Sequence, residues 1–233
     1  MRTSLGLLAA ILIFGLVGAQ GAGQPAQDLL VAADAARGDT EGVTWDLDVT
    51  ELSKGKTSEN ALFVKSRGTN FLAEYTKPAE MKGEKLVSHE RNMWFMKPGV
   101  SKAVPISPRQ RLLGAASYGD IASSAYSTHY NAKALADEGD NAVFDLTAKN
   151  DKETYDRIKL WVSKNEKVAT KADYESKTGK VLKTVTFEYG NKGKDDSSPF
   201  VSKMVIKDGD DTTTLTYSDI KFTAVAPSTF RMQ

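Results

Sequence analysis

The sequence predicts an α+β protein that consists mostly of antiparallel strands. Apolar and polar residues alternate in short runs along the chain, as where Val43, Trp45 and Leu47 face away from the polar residues between them. Glycine-containing turn signals, such as 54–56 and 208–210, separate these runs. Because parallel strands need long helical crossovers, such short links favour a single large antiparallel meander.

About a dozen segments fit this strand pattern, and two segments fit a helix. A helix is predicted over 25–37, since Pro25 stands at its start and Gly38 just past its end. The alanine-rich stretch between Gly114 and Ala136 predicts a second helical element, inserted between the halves of the sheet. The predicted strands are 43–49, 61–65, 71–75, 85–89, 93–96, 102–106, 142–148, 157–162, 168–174, 181–189, 200–207 and 213–222.

The N-terminal residues are typical of a secretory signal peptide. Arg2 precedes an apolar run over 5–17, and small residues follow at Gly18 and Ala19. We expect cleavage after Ala19, which divides the chain into a signal peptide over 1–19 and a single domain over 20–233. An uncleaved membrane anchor is the alternative, although spanning a bilayer as a helix takes about 20 residues.

Composition argues against several classes of function. The 31 lysine and arginine residues nearly balance the 30 aspartate and glutamate residues, so the chain lacks the basic field with which proteins hold nucleic acids. There is no cysteine, and the two histidines, His89 and His129, stand far apart. Because nucleophile elbows and phosphate-binding loops are also missing, we expect no enzyme, no metal site and no cofactor. A hydrolase acting on lipid or glycan is the weakest alternative.

Two features of the sequence are compatible with a binding function. Methionine and aromatic residues recur in the strand segments, and they suit either an ordinary core or a cavity for irregular apolar shapes. Between Lys77 and Arg111, eight basic residues stand against three acidic ones. This local excess could meet lipid headgroups, an acidic partner surface or solvent alone.

The run over 93–122 resembles the signature of the LolA-like superfamily of bacterial outer-membrane lipoprotein-sorting proteins. The elements that carry the resemblance are Trp94, Pro98, Lys102, Gln110-Arg111, Gly114 and Gly119-Asp120-Ile121. The segment 71–87 resembles a strand, a proline-containing turn and a hairpin of that group, and the segments 157–189 and 215–222 resemble its carboxy-terminal hairpins. The similarity extends over nearly all of the chain after the predicted cleavage site.

This resemblance implies an incomplete, half-open β-barrel with helices covering its concave apolar face. It also implies a periplasmic carrier that moves acyl chains of lipoproteins or lipids toward the outer membrane. An inner-membrane transporter and an outer-membrane acceptor are then the expected partners of a monomer. The alternative is a non-carrier, a periplasmic sensor or accessory subunit of a membrane exporter that uses the curved sheet as a docking surface.

The expected cavity is formed by residues of the sheet and of the covering segment. A polar rim at its edge is expected to contact a headgroup or a partner. A shift of one residue in a strand would invert every choice of face. The cavity residues expected on the sheet are Trp45, Phe63, Phe71, Trp94, Met96 and Phe144, those on the cover are Leu112, Leu113 and Ile121, and those at the rim are Arg109 and Arg111.

Overall fold

A computed structural model describes residues 23–121 and 125–231, so the predicted signal peptide over 1–19 lies outside the described residues. The helices are α1 (Gln24–Ala35) and α2 (Tyr126–His129), with 3₁₀ turns at Ala79–Met81, Tyr118–Ile121 and Pro227–Phe230. The first nine strands are β1 (Val43–Ser53), β2 (Lys56–Arg67), β3 (Asn70–Lys77), β4 (Lys85–His89), β5 (Asn92–Met96), β6 (Val104–Ile106), β7 (Arg111–Leu113), β8 (Ala116–Ser117) and β9 (Tyr130–Ala134). The others are β10 (Asn141–Ala148), β11 (Arg157–Ser163), β12 (Ala169–Glu175), β13 (Val181–Glu188), β14 (Asn191–Lys192), β15 (Pro199–Phe200), β16 (Lys203–Asp208) and β17 (Asp211–Phe222).

Thirteen of the strands form one large, curved antiparallel sheet. Its order is β6-β5-β4-β3-β2-β1-β17-β16-β13-β12-β11-β10-β9, so the last long strand pairs with the first and joins the two halves. Strands β6 and β9 stand at the two ends of this order, and the sheet does not close into a barrel. The prediction of a mostly antiparallel meander is confirmed.

One face of the sheet, called the inner face below, carries the core. Trp45 pairs with Val64, which pairs with Ala73, and all three side chains are buried. The same alternation continues through the second half, where Leu160 and Leu215 are fully buried. Residues on the outer face of β1, such as Asp46 and Asp48, are exposed. The two-residue period of the sequence thus reports which residues leave water.

Helix α1 contributes to the same core. Pro25 stands in its first turn, where the missing N–H costs no hydrogen bond, and Leu30 and Ala33 are buried in the cluster formed by the inner face. Val31, on the other side of the helix, is about half exposed. The predicted helix over 25–37 is confirmed in type and nearly in extent.

The predicted helical insertion between 114 and 136 is wrong for most of its length. The segment forms the short β7–β8 hairpin, a 3₁₀ turn, the four-residue α2 and the edge strand β9. Gly114 begins the departure with a positive φ of 54°, and the Ala115 N–H bonds the Thr213 hydroxyl of β17 at 2.8 Å. Alanine propensity is worth only tenths of a kcal/mol per residue, so contacts with the sheet override it.

The outer face has a smaller apolar cluster of its own. The last 3₁₀ turn brings Phe230 and Val225 against Val87, with Leu72 and Met96 at the periphery. This contact covers part of the first half of the sheet on the side opposite to α1. Within the two described ranges, no helix is long and apolar enough to cross a bilayer.

Candidate functional site

Four of the residues expected to line a cavity lie together in the buried core. Trp45, Phe71 and Phe144 project from the inner face, and Ile121 reaches the same cluster from the segment that follows β8. Leu112 and Leu113 are partly buried against this cluster. The sheet and the segment around β7 therefore meet at these side chains.

Three of the expected cavity residues lie elsewhere. Phe63 pairs with Asp46 and therefore lies on the outer face. Met96 belongs to the outer cluster around Phe230. Trp94 pairs with Pro105 of the edge strand β6, and its side chain lines a surface cleft described below. Because successive side chains of a strand face opposite sides of the sheet, a difference of one residue separates these side chains from Trp45 and Phe71.

A small cavity of about 20 Å³ lies at the inner face near the start of β5. Phe71, Met93, Tyr130 and Tyr155 contribute to its lining. That volume is enough for one water molecule and far below the size of an acyl chain.

Residues 107–121, called the fixed segment below, are held to the sheet by a buried acid. Asp120 accepts hydrogen bonds from the Ser117 N–H at 2.7 Å and from the Tyr155 hydroxyl at 2.7 Å. The Lys183 ammonium on β13 lies 3.3 Å from the same carboxylate and donates to the Ser117 hydroxyl at 2.6 Å. The buried charge is thus paired and hydrogen-bonded, the condition under which proteins tolerate such groups.

Tyr155 keeps its role as a donor because of its surroundings. Burial raises the pKa of Tyr155 well above the ordinary tyrosine value, and the charge of Asp120 raises it further. The ring stacks on Tyr174 of β12 with 3.9 Å between the centroids. A protonated hydroxyl therefore faces Asp120 over the whole physiological range of pH.

Two glycines bring the fixed segment into close contact with its neighbours. A Cβ atom at Gly119 would fall inside the contact distance of the Thr154 side chain, and one at Gly114 would meet the Thr213 hydroxyl and Glu51. At both positions the backbone approaches the neighbouring element more closely than any other residue type permits.

A second unit is held by a different set of groups. It combines α1 with residues 125–129, and we call it the helix unit. The Asp34 carboxylate of α1 accepts hydrogen bonds from the N–H groups of Tyr126 and Ser127 at 2.8 and 2.9 Å, and from the Ser127 hydroxyl at 2.6 Å. Burial raises the pKa of Asp34 to about 6, even though these hydrogen bonds act in the opposite direction.

Arg37, just after α1, is the charged group of the helix unit that reaches deepest into the core. It donates to the Tyr126 hydroxyl at 2.7 Å, and its guanidinium carbon lies 4.8 Å from the centre of the Phe187 ring on β13. The Val201 N–H bonds the Ala36 carbonyl at 2.9 Å and places this end of the helix against the connection between β15 and β16. The helix unit therefore contacts the core through the Arg37 cation and through buried side chains that include Leu30 and Tyr126.

An ionic cluster connects the β4–β5 turn to the loop between β10 and β11. Glu153 is almost fully buried, forms an ion pair with Arg91 and lies 3.2 Å from Nδ1 of His129. Burial alone would raise the pKa of Glu153, but His129 and Arg91 hold it below its usual range. Arg109 donates to the Glu153 carbonyl at 3.1 Å and to Asp156 at 2.9 Å.

Sequence reasoning did not identify this cluster or the Asp120 network as sites. Arg91 and Glu153 are 62 positions apart, and the partners of Asp120 lie 35 and 63 positions away. No local spacing signals such contacts, since they arise only when the sheet brings distant loops together. A local excess of basic residues was the sole hint, and it includes Arg91 and Arg109.

A solvent-open cleft of about 390 Å³ lies beside this cluster, at the β6 edge of the sheet. Trp94, Ile106 and Pro108 form part of its apolar lining, while Arg109 and Lys152 contribute charge. Of the two expected rim residues, Arg109 therefore lies at a cleft. Arg111 is exposed on β7 and pairs with Ser117.

Comparisons with known proteins connect this architecture to a family. A family model described as "Uncharacterized protein" matches residues 67–233, and the chain belongs to that family. A LolA superfamily protein from Nitrosomonas europaea has a similar structure, with a TM-score of 0.80, 25% identity and coverage of 88% of this chain and 96% of that one. The chain is a member of the LolA-like superfamily.

Two further solved structures share the LolA-like fold. An outer membrane lipoprotein-sorting protein domain from Vibrio parahaemolyticus gives a TM-score of 0.75 at 18% identity, covering 88% of this chain and 95% of that one. A DUF1329 family protein from Desulfovibrio piger gives 0.74 at 20% identity, covering 89% and 97%. Comparison with curated proteins gives no significant sequence match. Within residues 23–121 and 125–231, no group of three or more acidic or histidine side chains could hold a metal ion.

Proposed function

We propose that this LolA-like protein is a carrier for the acyl chains of lipoproteins or lipids. The observation that carries the proposal is the inner face itself: a continuous apolar surface contributed by a thirteen-stranded sheet and faced by one helix and irregular segments rather than by a second sheet. In this proposal, the helix unit and the fixed segment are the cover of a concave face, and the structure represents the closed, unloaded state.

Hydrocarbon burial supplies the affinity. Each methylene that leaves water contributes about 0.8 kcal/mol, so part of one acyl chain is enough to hold a lipid without a specific polar contact. The chain would lie between the inner face and the displaced helix unit. On release, Leu30 and Ala33 return to the sheet and replace the lipid contacts, which keeps the empty apolar face away from water.

We place this activity in the periplasm, with the predicted signal peptide removed. Cargo would come from an inner-membrane donor and move to an outer-membrane acceptor. The solved lipoprotein-sorting domain with the same fold supports this assignment. The carrier itself needs no catalytic group.

A lipid-uptake experiment tests the proposal with matched variants. Residues 20–233 are purified, extracted with organic solvent for bound lipid, and titrated with a fluorescent fatty acid. We compare Met93→Gln with Met96→Gln, because Met93 lines the small interior cavity and Met96 belongs to the outer cluster. Uptake should fall in the first variant and persist in the second. Lipid-free protein without fatty-acid uptake would contradict carriage.

A second candidate is a periplasmic sensor or accessory subunit of an exporter that never carries lipid. The small volume of the cavity between Phe71 and Tyr155, about 20 Å³, favours it. In that case the protein would bind a membrane partner through the basic stretch over 77–111 while remaining free of lipid. Cross-linking in membranes combined with lipid analysis separates the two functions.

A further inference from the structure

The cleft beside β6 is lined by both apolar and charged residues. Trp94, Pro105, Ile106 and Pro108 contribute hydrocarbon, and Arg91, Arg109 and Lys152 contribute positive charge. The cleft volume of about 390 Å³ lies within the range of small-molecule sites, which combine an apolar lining with a few placed polar groups. The arrangement fits a molecule that is apolar at one end and charged at the other.

The charges of this cleft favour an anion. Glu153 and Asp156 pair with Arg91 and Arg109, and their carboxylates are turned inward, with 2% and 17% of their side chains exposed. Lys152 is exposed and has no ionic partner within residues 23–121 and 125–231. Asp151 is the acid among the lining residues, so three cations there face one acid. An anionic group beside Lys152 would therefore meet an ammonium whose charge no ion pair compensates.

The cleft also leads toward the interior. Arg91, Met93, Pro108 and Lys152 line both this cleft and the small cavity beside Phe71. A headgroup held at Lys152 would thus stand next to the small cavity at the inner face. An acyl chain attached to that headgroup could follow the wall of Met93 into the space beneath the helix unit.

We propose that this edge cleft, lined by Lys152, Arg109, Arg91, Trp94 and Ile106, binds the anionic headgroup of a lipid whose acyl chain enters the interior. The inference rests on the proposed carrier function and adds a preference for phosphate-bearing or carboxylate-bearing lipids over neutral ones. Lys152 supplies the direct contact with the anion. Arg91 and Arg109, whose charges are paired with Glu153 and Asp156, stand beside it in the lining of the cleft.

Calorimetric titration below the critical micelle concentration tests this preference with two amphiphiles of equal chain length. Dodecyl phosphate carries the anion, and monododecanoylglycerol is its neutral counterpart. We expect the phosphate ester to bind about fivefold more tightly, the effect of one favourable charge contact at a partly exposed site. In Lys152→Glu the preference should disappear or reverse, while binding of the neutral amphiphile should persist.

Lys56→Glu is the matched control, because it makes the same change of charge at the exposed lysine that begins β2, next to the β1–β2 turn. That turn lies at the opposite end of the strands from Arg91, as the pairing of Ser53 with Lys56 and of Arg67 with Asn70 shows. The control should retain the wild-type preference. Circular dichroism of both variants verifies that they fold.

The outcomes separate this inference from the carrier function. Equal binding of the two amphiphiles, or a preference that survives Lys152→Glu, would overturn the headgroup site and leave the carrier function intact. Absence of binding by either amphiphile would contradict the carrier function, and the headgroup site with it. Inorganic phosphate that binds as tightly as dodecyl phosphate would overturn the lipid as ligand and indicate a site for small anions.

Discussion

The fixed segment and the helix unit lie against the same inner face of the sheet, yet they are attached by different means. The fixed segment is held by Asp120, which bonds Tyr155 of the β10–β11 loop and Lys183 of β13, and by glycine positions that leave no space for a side chain. The helix unit is held by Asp34, whose three hydrogen bonds stay within the unit, and by Arg37. The polar anchors therefore hold the fixed segment to its neighbours. In the helix unit they mainly hold α1 and residues 125–129 to each other.

This difference indicates which part of the proposed cover can move. Displacing the fixed segment would separate a buried ion pair and expose both charges, a cost of several kcal/mol. Displacing the helix unit keeps the Asp34 hydrogen bonds intact, but it removes the fully buried side chains of Leu30, Ala33 and Tyr126 from the core, together with the buried Arg37 cation. An acyl chain that takes their place restores the lost apolar contacts.

The largest expected effect is that of Asp120→Ala on stability. The change leaves Lys183 and the Tyr155 hydroxyl largely buried without their acceptor, so the free energy of unfolding should fall by about 3 to 5 kcal/mol. Urea denaturation measures this loss. Asp48→Ala, at an exposed position on the outer face, is the control and should change stability by less than about 0.5 kcal/mol. Equal losses in the two variants would refute the anchoring role of Asp120.

The next effect concerns the helix unit and the dependence of stability on pH. The pKa of Asp34 is about 6 in the folded protein and about 3.8 when unfolded, so the folded state binds more protons between these values. The contribution of Asp34 to stability is therefore complete below about pH 4 and is lost as the pH rises through 6.

We predict that Asp34→Asn removes this dependence, which amounts to roughly 2 kcal/mol between pH 4 and pH 7. Urea denaturation of wild type and variant at several pH values gives the difference directly. Asp28→Asn, on the exposed side of the same helix, should leave the pH profile of the wild type unchanged. If the difference in unfolding free energy between wild type and Asp34→Asn did not change with pH, the pKa of Asp34 would not be raised.

The smallest of the stability effects tests the close approach at Gly119. Gly119→Ala places a methyl group against Thr154 and should lower the free energy of unfolding by about 1 to 2 kcal/mol. In the double variant Gly119→Ala/Thr154→Ala, the second change removes the obstructing atoms, so the two effects should be far from additive. Additive losses in the thermodynamic cycle would mean that the fixed segment adjusts without strain.

Much of the sheet could be predicted from the sequence, because alternation along a strand directly reflects which side chains are buried. The helical insertion around Gly114 could not, since its alanines suggested a helix while contacts such as Ala115 to Thr213 decided the conformation. The faces of Phe63 and Met96 depended on strand register, which the sequence does not determine to within one residue.

The polar groups of the site were the least predictable part. Glu153 meets Arg91, and Asp120 meets Lys183, through folding of the whole chain rather than through local spacing. The resemblance to lipoprotein-sorting proteins indicated the fold, and its Gly-Asp-Ile element contains Asp120. Its role as an anchor became visible only from its partners.

The most direct test of the account is to lock the helix unit to the sheet. Because the chain has no cysteine, the pair Ala36→Cys/Val201→Cys introduces one disulfide where the two backbones are already joined by a hydrogen bond of 2.9 Å. Fluorescent fatty-acid uptake is measured before and after reduction of the same sample. The account predicts no uptake by the oxidised protein and recovery on reduction. Equal uptake in both states would contradict entry of the acyl chain beneath the helix unit.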